Sequence, residues 1–301
     1  MSLNQFEVFC TVAEEKSLTK AARRLHLSQP AVSAQIKALE SNYQLSLFAR
    51  TNQGVTLTPA GEIVYQYAQQ LIHIHEDMEH ALNTLTKSKG SQLVVGASTV
   101  VGGYPLPCSI WIFKEQHPDA IVKLEVANSA AILEKIKTVA LDLAVIEGPV
   151  ETEEVIVKPC GEDELVLITP YVDPWVNMNH ISLTQLRQIP LILREQGSGI
   201  RSILEKALAG QGLKVDDLQV YTEMGNLGSI KSAVEAGHGV SVVPRMTIRK
   251  EVYTKMLKAL PISELDLKFT YKIIYHQNQI LSEVAKAFIK LVTNPDERNF
   301  C

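Results

Sequence analysis

The sequence is poor in the features that mark most specialised proteins. It has four cysteines, Cys10, Cys108, Cys160 and Cys301, far apart and with no CxxC pair. Neither a zinc site nor a disulfide framework is indicated, and a reducing cytoplasm is the compartment that fits. No run of about 18 apolar residues exists, so no membrane span is expected. The opening residues MSLNQFEVFC lack the basic-then-apolar layout of a secretory signal. Among catalytic signatures, GxSxG, HExxH and the dinucleotide glycine fingerprint are all missing. GSGIR, residues 197–201, lacks the Lys and hydroxyl residue of a P-loop. His238 has glycines on both sides but no nameable nucleophile or carboxylate partner, and reads as a cleft-edge loop residue. In HIHEDMEH, residues 73–80, His75 and Glu79 are four apart, as are His73 and Asp77, yet no third ligand follows at strict spacing; this reads as a solvated helix face. No catalytic activity, cofactor or metal is expected.

What is present is divided unevenly. The chain has 301 residues, 46% hydrophobic and 21% charged, enough for two or three soluble domains. Residues 1–58 hold six Lys or Arg against four Glu, a net +2; the whole chain carries −4, which leaves −6 for the remainder. A mildly basic segment ahead of an acidic body is compatible with nucleic-acid contact by that segment alone.

Leu3, Phe6, Cys10 and Ala13 recur at helical spacing, widened by Phe9 and Val12. Ser17 is placed to cap a second helix running to about Leu25, in which the small Ala21 and Ala22 permit close approach. Ser28 caps a third, with Pro30 tolerated in its first turn. There Ala31 or Val32, Ile36 and Leu39 form an inward stripe, while Gln29, Ser33 and Lys37 fall on another face. This is a helix-turn-helix with a polar outer face. Asn52-Gln53-Gly54 then reads as a turn between two extended pieces, Leu47–Arg50 and Val55–Thr58, the hairpin of a wing. Arg50 would lie there beside the duplex backbone or the minor groove.

Phe6 to Gly61 closely resembles the DNA-binding domain of LysR-type transcriptional regulators. The matching residues are F-x-x-F/V-A at Phe6 to Ala13, S-L-T-x-A-A-x-x-L at Ser17 to Leu25, S-Q-P-A-V-S-x-Q-I-x-x-L-E at Ser28 to Glu40, and L-F-x-R with T-x-A-G between Leu47 and Gly61. The resemblance implies a winged helix-turn-helix over residues 1–58 that lays the third helix in the major groove of double-stranded promoter DNA. It implies contacts from Ser28, Gln29, Pro30, Ser33 and Lys37, with Arg50 on the wing.

From Pro59 to about Lys89 there is no Pro or Gly after Gly61. Val64, Tyr67, Leu71, Ile74, Met78, Ala81 and Leu85 repeat in alternating steps of three and four, a heptad seam suited to pairing with a second copy. The alternative is that the helix packs on its own domain. The resemblance implies a dimerising linker, a homodimer or homotetramer, and RNA polymerase as a further partner.

Beyond residue 90, strand-like and helix-like segments alternate, predicting an α/β body with largely parallel sheets. Expected strands are QLVVGA, 121–127, 142–146, 164–169, 190–194, 218–223, 239–244 and 267–275; expected helices lie near 105–116, 129–140, 198–209, 227–236 and 281–292. The likeness extends here to the LysR-type effector domain, which is shaped like a periplasmic binding protein. It implies two subdomains, 91–161 completed by 269–301, and 162–268. Several strands end in hydroxyl or amide residues that begin a helix, where free N–H groups and the helix dipole favour an anion. Ser98, Thr99, Ser129, Ser198 and Asn226 are the candidate ligands, with Arg201 as counter-charge, for a small carboxylate or oxyanion effector. REQGSGIRSILEKAL looks most like members tied to sulfur and cysteine metabolism. The competing readings are a metabolic enzyme with an accessory helix-turn-helix domain, and a solute-binding protein.

Overall fold

The computed structural model describes residues 2–51, 54–86 and 92–294, without the side chains at 50–51, 73, 76–77 and 79–86. Packing divides the chain near residue 90.

In the amino-terminal unit, α1 (Leu3–Glu15) begins in a capping box in which Ser2 N donates to Gln5 Oε1 at 2.9 Å. It ends at Lys16, in the left-handed region with φ of 51°. Phe6, Val8, Phe9 and Val12 are buried. Ser17 Oγ caps α2 (Leu18–Arg24) by accepting from Lys20 N, and Ala21 and Ala22 are buried. Ser28 Oγ caps α3 (Gln29–Tyr43) by accepting from Ala31 N at 3.3 Å. Val32, Ile36 and Leu39 turn inward; Val32 is fully buried and Ala31 only partly, which decides between the two.

The end of α3 sets the hairpin in place. Glu40 Oε1 accepts from Leu47 N at 2.8 Å and Phe48 N at 3.3 Å. β1 (Phe48–Thr51) then pairs antiparallel with β2 (Gly54–Leu57); the expected turn residues Asn52 and Gln53 lie outside the described residues. Thr58 closes the wing onto the next helix, donating from Oγ1 to Ser46 O at 2.7 Å and accepting from Gly61 N at 3.0 Å. That helix is α4 (Pro59–Thr86). One of its faces, with Ala60, Val64, Tyr65, Ala68 and Ile72, packs into the core around Phe9.

The second unit runs through β3 (Gln92–Ser98), α5 (Thr99–Gly103), α6 (Pro105–Gln116), β4 (Ile121–Ala127), α7 (Ser129–Lys137), β5 (Leu143–Ile146) and β6 (Val155–Pro170). It continues with α8 (Leu183–Leu186), β7 (Leu191–Arg194), α9 (Gly199–Ala209), β8 (Val220–Met224), α10 (Leu227–Glu235) and β9 (Val240–Pro244). Last come α11 (Arg249–Tyr253), β10 (Leu257–Leu260), β11 (Lys268–His276) and α12 (Glu283–Thr293). Among the described residues the strands form one nine-stranded sheet in the order β4-β3-β5-β11-β6-β9-β7-β8, with β10 on β6.

The expectation of largely parallel sheets needs correction. β3 is parallel to β4 and β5, and β7 to β8 and β9, but β11 and β6 make only antiparallel pairs. Parallel neighbours require a crossover, supplied by the helices between β3 and β5 and between β7 and β9. Residues 147–154, between β5 and β6, contain no helix. β6 is long enough to pair with β11 along its first half and with β9 and β10 along its second.

The free thiols Cys10 and Cys160 are buried, and burial pushes both up to about 12.

Candidate functional site

The face of α3 beside its buried stripe carries the residues expected to meet DNA. Ser28, Gln29, Pro30 and Lys37 are exposed and Ser33 is partly buried. The stripe of Val32, Ile36 and Leu39 fixes the rotation of the helix, so Ser33 and Lys37, one residue further on, emerge together. A glutamine amide offers two donors and an acceptor, a lysine three donors; the first suits base edges, the second phosphate. Arg50 sits in β1 opposite Val55, and its side chain lies outside the described residues.

In the second unit a polar cluster forms where β3, β5 and β7 end. Its centre is Glu147, 1% exposed, directly after β5. Ser98 Oγ makes a very short hydrogen bond to Glu147 Oε2, and Ser129 Oγ reaches Glu147 Oε1 at 3.4 Å. The same hydroxyl oxygens cap helices: Ser98 accepts from Val101 N at 3.2 Å, and Ser129 accepts from Gly199 N at 3.3 Å. Burial pushes the Glu147 carboxyl up, opposed by the Ser98 hydroxyl and, more weakly, by the Arg194 guanidinium and Ser129.

Arg194, the last residue of β7, is 2% exposed. Its Nη2 donates to Thr99 Oγ1 at 2.9 Å and to Glu195 Oε1 at 3.0 Å, and its Nε to Glu195 Oε2 at 2.8 Å. Its Nη1 is buried without a hydrogen-bond partner. So is the hydroxyl of Ser198, the N-cap residue of α9. An unmatched guanidinium donor costs more to bury than a neutral one, and buried polar groups are nearly always paired.

The segments carrying these groups press together. Ala130 N donates to Gly197 O at 3.0 Å. A Cβ at Gly199 would stand 2.1 Å from Glu147 O, so no larger residue fits between strand end and helix start.

The cluster thus brings together four of the six expected effector residues: Ser98, Thr99, Ser129 and Ser198. Asn226 is exposed and caps α10, its Oδ1 accepting from Ser229 N at 3.1 Å. Arg201 is buried but committed: Nη1 donates to Glu223 Oε1 at 2.7 Å and to Arg194 O at 3.1 Å, and Nε to Glu205 Oε1 at 2.8 Å. His238 is exposed and lines a separate, mainly apolar cavity of about 700 Å³ with Trp175, Pro190, Tyr221 and Met224. That cavity holds none of the buried charged groups. In the HIHEDMEH stretch, the side chains of His73, Asp77 and Glu79 lie outside the described residues.

Two members of the cluster, Glu147 and Arg194, stand at strand ends and not at helix starts, and are absent from the residues expected from the sequence. The signal was a charged residue closing an otherwise apolar strand, in LAVIE and LILR. Such a residue stands at the carboxyl edge of the sheet, where open α/β sheets bind ligands.

Comparison with known proteins agrees with both units. Residues 3–62 match the family model "Bacterial regulatory helix-turn-helix protein, lysR family" and residues 87–294 the model "LysR substrate binding domain". A probable RuBisCO transcriptional regulator of Cyanophora paradoxa is 34% identical, over 95% of this chain and 90% of its own length. The HTH-type transcriptional regulator CysL of Bacillus subtilis is 31% identical over 89% of each chain. Among solved structures, CbnR, a LysR family transcriptional regulator, superposes with a TM-score of 0.70 at 19% identity, over 100% of both chains. The CcmR regulatory domain of Synechocystis PCC6803, solved in complex with 2-PG, gives 0.61 at 24% identity, over 67% of this chain and 95% of that one. The relatives are named regulators rather than enzymes, and no described helix is long and apolar enough to cross a membrane. With a helix-turn-helix, a winged hairpin, and an α/β body whose strand ends converge on buried polar groups, the chain belongs to the LysR family of DNA-binding transcriptional regulators.

Proposed function

We propose that this regulator works in the cytoplasm and senses a small anion, a carboxylate or an oxyanion, held at the polar cluster between two α/β subdomains of its effector-binding region. The subdomains are residues 91–161 with 269–301, and residues 162–268. The observation that carries this reading is the pair of buried atoms without partners, Arg194 Nη1 and Ser198 Oγ. Ser198 is the N-cap residue of α9, whose dipole adds to the attraction. An anion would satisfy the guanidinium and the hydroxyl together. That the CcmR regulatory domain was solved with 2-PG supports an anionic ligand for this fold. The name of one relative, a probable RuBisCO transcriptional regulator, points to RuBisCO expression as a setting, and the resemblance of REQGSGIRSILEKAL to members tied to sulfur and cysteine metabolism points to a second.

DNA contact runs through α3, with Gln29, Ser33 and Lys37 in the major groove, Ser28 and Pro30 at the helix start, and Arg50 on the wing. Two copies, or a tetramer built from two dimers, join along α4. Tyr67, Leu71, Ile74 and Met78, part of the heptad seam, are 62%, 45%, 59% and 50% exposed. Apolar exposure in a repeat of three and four is what a partner helix would cover. Anion binding changes operator affinity only as far as the anion binds one arrangement of the protein better than another. The test is a thermal-shift screen of the full chain against small carboxylates and oxyanions, repeated with Ser198→Ala and Arg194→Gln. A stabilising anion whose effect disappears in both variants, with operator affinity of the ligand-free proteins unchanged, is the expected result. An anion that stabilises all three proteins equally removes the cluster as its site.

A further inference from the structure

In the anion site just proposed, Glu147 is the component that an anion receptor should not contain. A buried carboxylate repels the charge that Arg194 and Ser198 attract. It is also built in, with both of its oxygens contacted by the hydroxyls that cap the neighbouring helices. When the carboxylate is ionised it is an acceptor only. Ser98 and Ser129 must then point their hydrogens at it, and an incoming anion finds lone pairs where it needs donors. When the carboxyl carries a proton, it can donate to Ser98 Oγ, and the serine hydrogen is released for the anion.

The charged surroundings do not remove the conflict. Arg194 is the cation facing Glu147 from β7, and it is already held by Glu195. From β11, Lys272 Nζ donates to Gly148 O at 2.7 Å, one residue beyond Glu147. Also on β11, the Tyr271 phenol is pushed up by burial first, then by Asp163 and by the charge of Glu147 itself. From β3 and α7 Glu147 is met by the hydroxyls of Ser98 and Ser129.

Resting on the anion-sensing reading, we propose that Glu147 makes the cleft accept an anion only together with one proton shared between them, so that it selects oxyanions that carry a proton, as hydrogen phosphate does, over sulfate. The proton arrives with the ligand or is taken from solvent. In the first case the anion donates to the carboxylate and satisfies it. In the second, binding consumes a proton, so affinity falls as pH rises. Burial, which favours the neutral carboxyl, acts in the same direction.

The experiment is calorimetric titration of the full-length protein with sodium phosphate and with sodium sulfate, at matched ionic strength, from pH 6 to pH 8.5. At pH 8 the wild type should bind phosphate at least about tenfold more tightly than sulfate, since one unmatched buried acceptor suffices for that ratio. Sulfate affinity should decline as the pH is raised. In Glu147→Gln the carboxamide supplies a permanent donor, so the preference should shrink to within about threefold and the pH dependence of sulfate binding should flatten. Equal, pH-independent binding of both anions to the wild type overturns the role of Glu147 while leaving an anion site in place. Failure of both anions to bind even at tens of millimolar overturns this inference, while the thermal-shift screen against carboxylates decides the anion site itself. The wild-type comparison stands by itself if the variant fails to fold.

Discussion

Gln29 and Lys37 lie on one face of α3 but should act differently. Gln29 can read a base edge, because an amide presents donor and acceptor side by side; Lys37 presents only donors and suits phosphate. Gln29→Ala is therefore expected to cost about 1–3 kcal/mol on the specific operator and little on scrambled duplex. Lys37→Ala should weaken both duplexes alike. Band-shift titrations on the two duplexes decide it, and equal loss on both for Gln29→Ala would take that residue out of the base-reading set. These positions were legible because α3 has a strict inward stripe, so its outer face follows by elimination. Glu147 was not legible in the same way. Nothing near it in the sequence announces a partner, and its partners Ser98 and Ser129 are 49 and 18 residues away.

At the scale of elements, two glycines hold the wing in place. A Cβ at Gly61 would stand 2.1 Å from Leu47 O, and one at Gly54 would stand 2.3 Å from Lys16 O. Gly54 also has a φ of 133°, which L side chains rarely adopt. Both obstacles are backbone carbonyls, which no rotamer change can clear. Gly61→Ala should lower stability by more than about 2 kcal/mol and shift the thermal midpoint of the full chain downward. An unchanged midpoint would mean that the Thr58–Gly61 turn can relax. The linker helix has two apolar stripes rather than the one read from its heptads. Val64 belongs to the stripe buried against the domain core, while Tyr67, Leu71, Ile74 and Met78 are exposed. Periodicity announces that a face is apolar and leaves open what covers it. Leu71→Asp with Ile74→Asp should therefore yield monomers in sedimentation at micromolar concentration while the helix-turn-helix keeps its fold.

At the scale of the whole molecule, sensing and DNA binding must be linked through reciprocal free energies. If an anion changes operator affinity by some factor, the operator changes anion affinity by the same factor. Titrating the anion with and without saturating operator should return matching ratios; a mismatch would mean that an unrecognised third equilibrium is involved. Operator affinity should also fall steeply with salt, because Lys and Arg on phosphates release counterions.

By itself the sequence determined the local chemistry. Helix caps at Ser17, Ser28 and Ser98, the apolar stripe of α3, the hairpin and the alternation of strands and helices all depend on neighbours within a few residues, where spacing translates directly into geometry. The tertiary structure alone decided which strand ends meet, that β6 and β11 run antiparallel to their neighbours, and that Glu147 and Arg194 share one buried cluster. Those outcomes depend on long-range pairing, and spacing along a chain carries no information about which distant residue will be across the sheet.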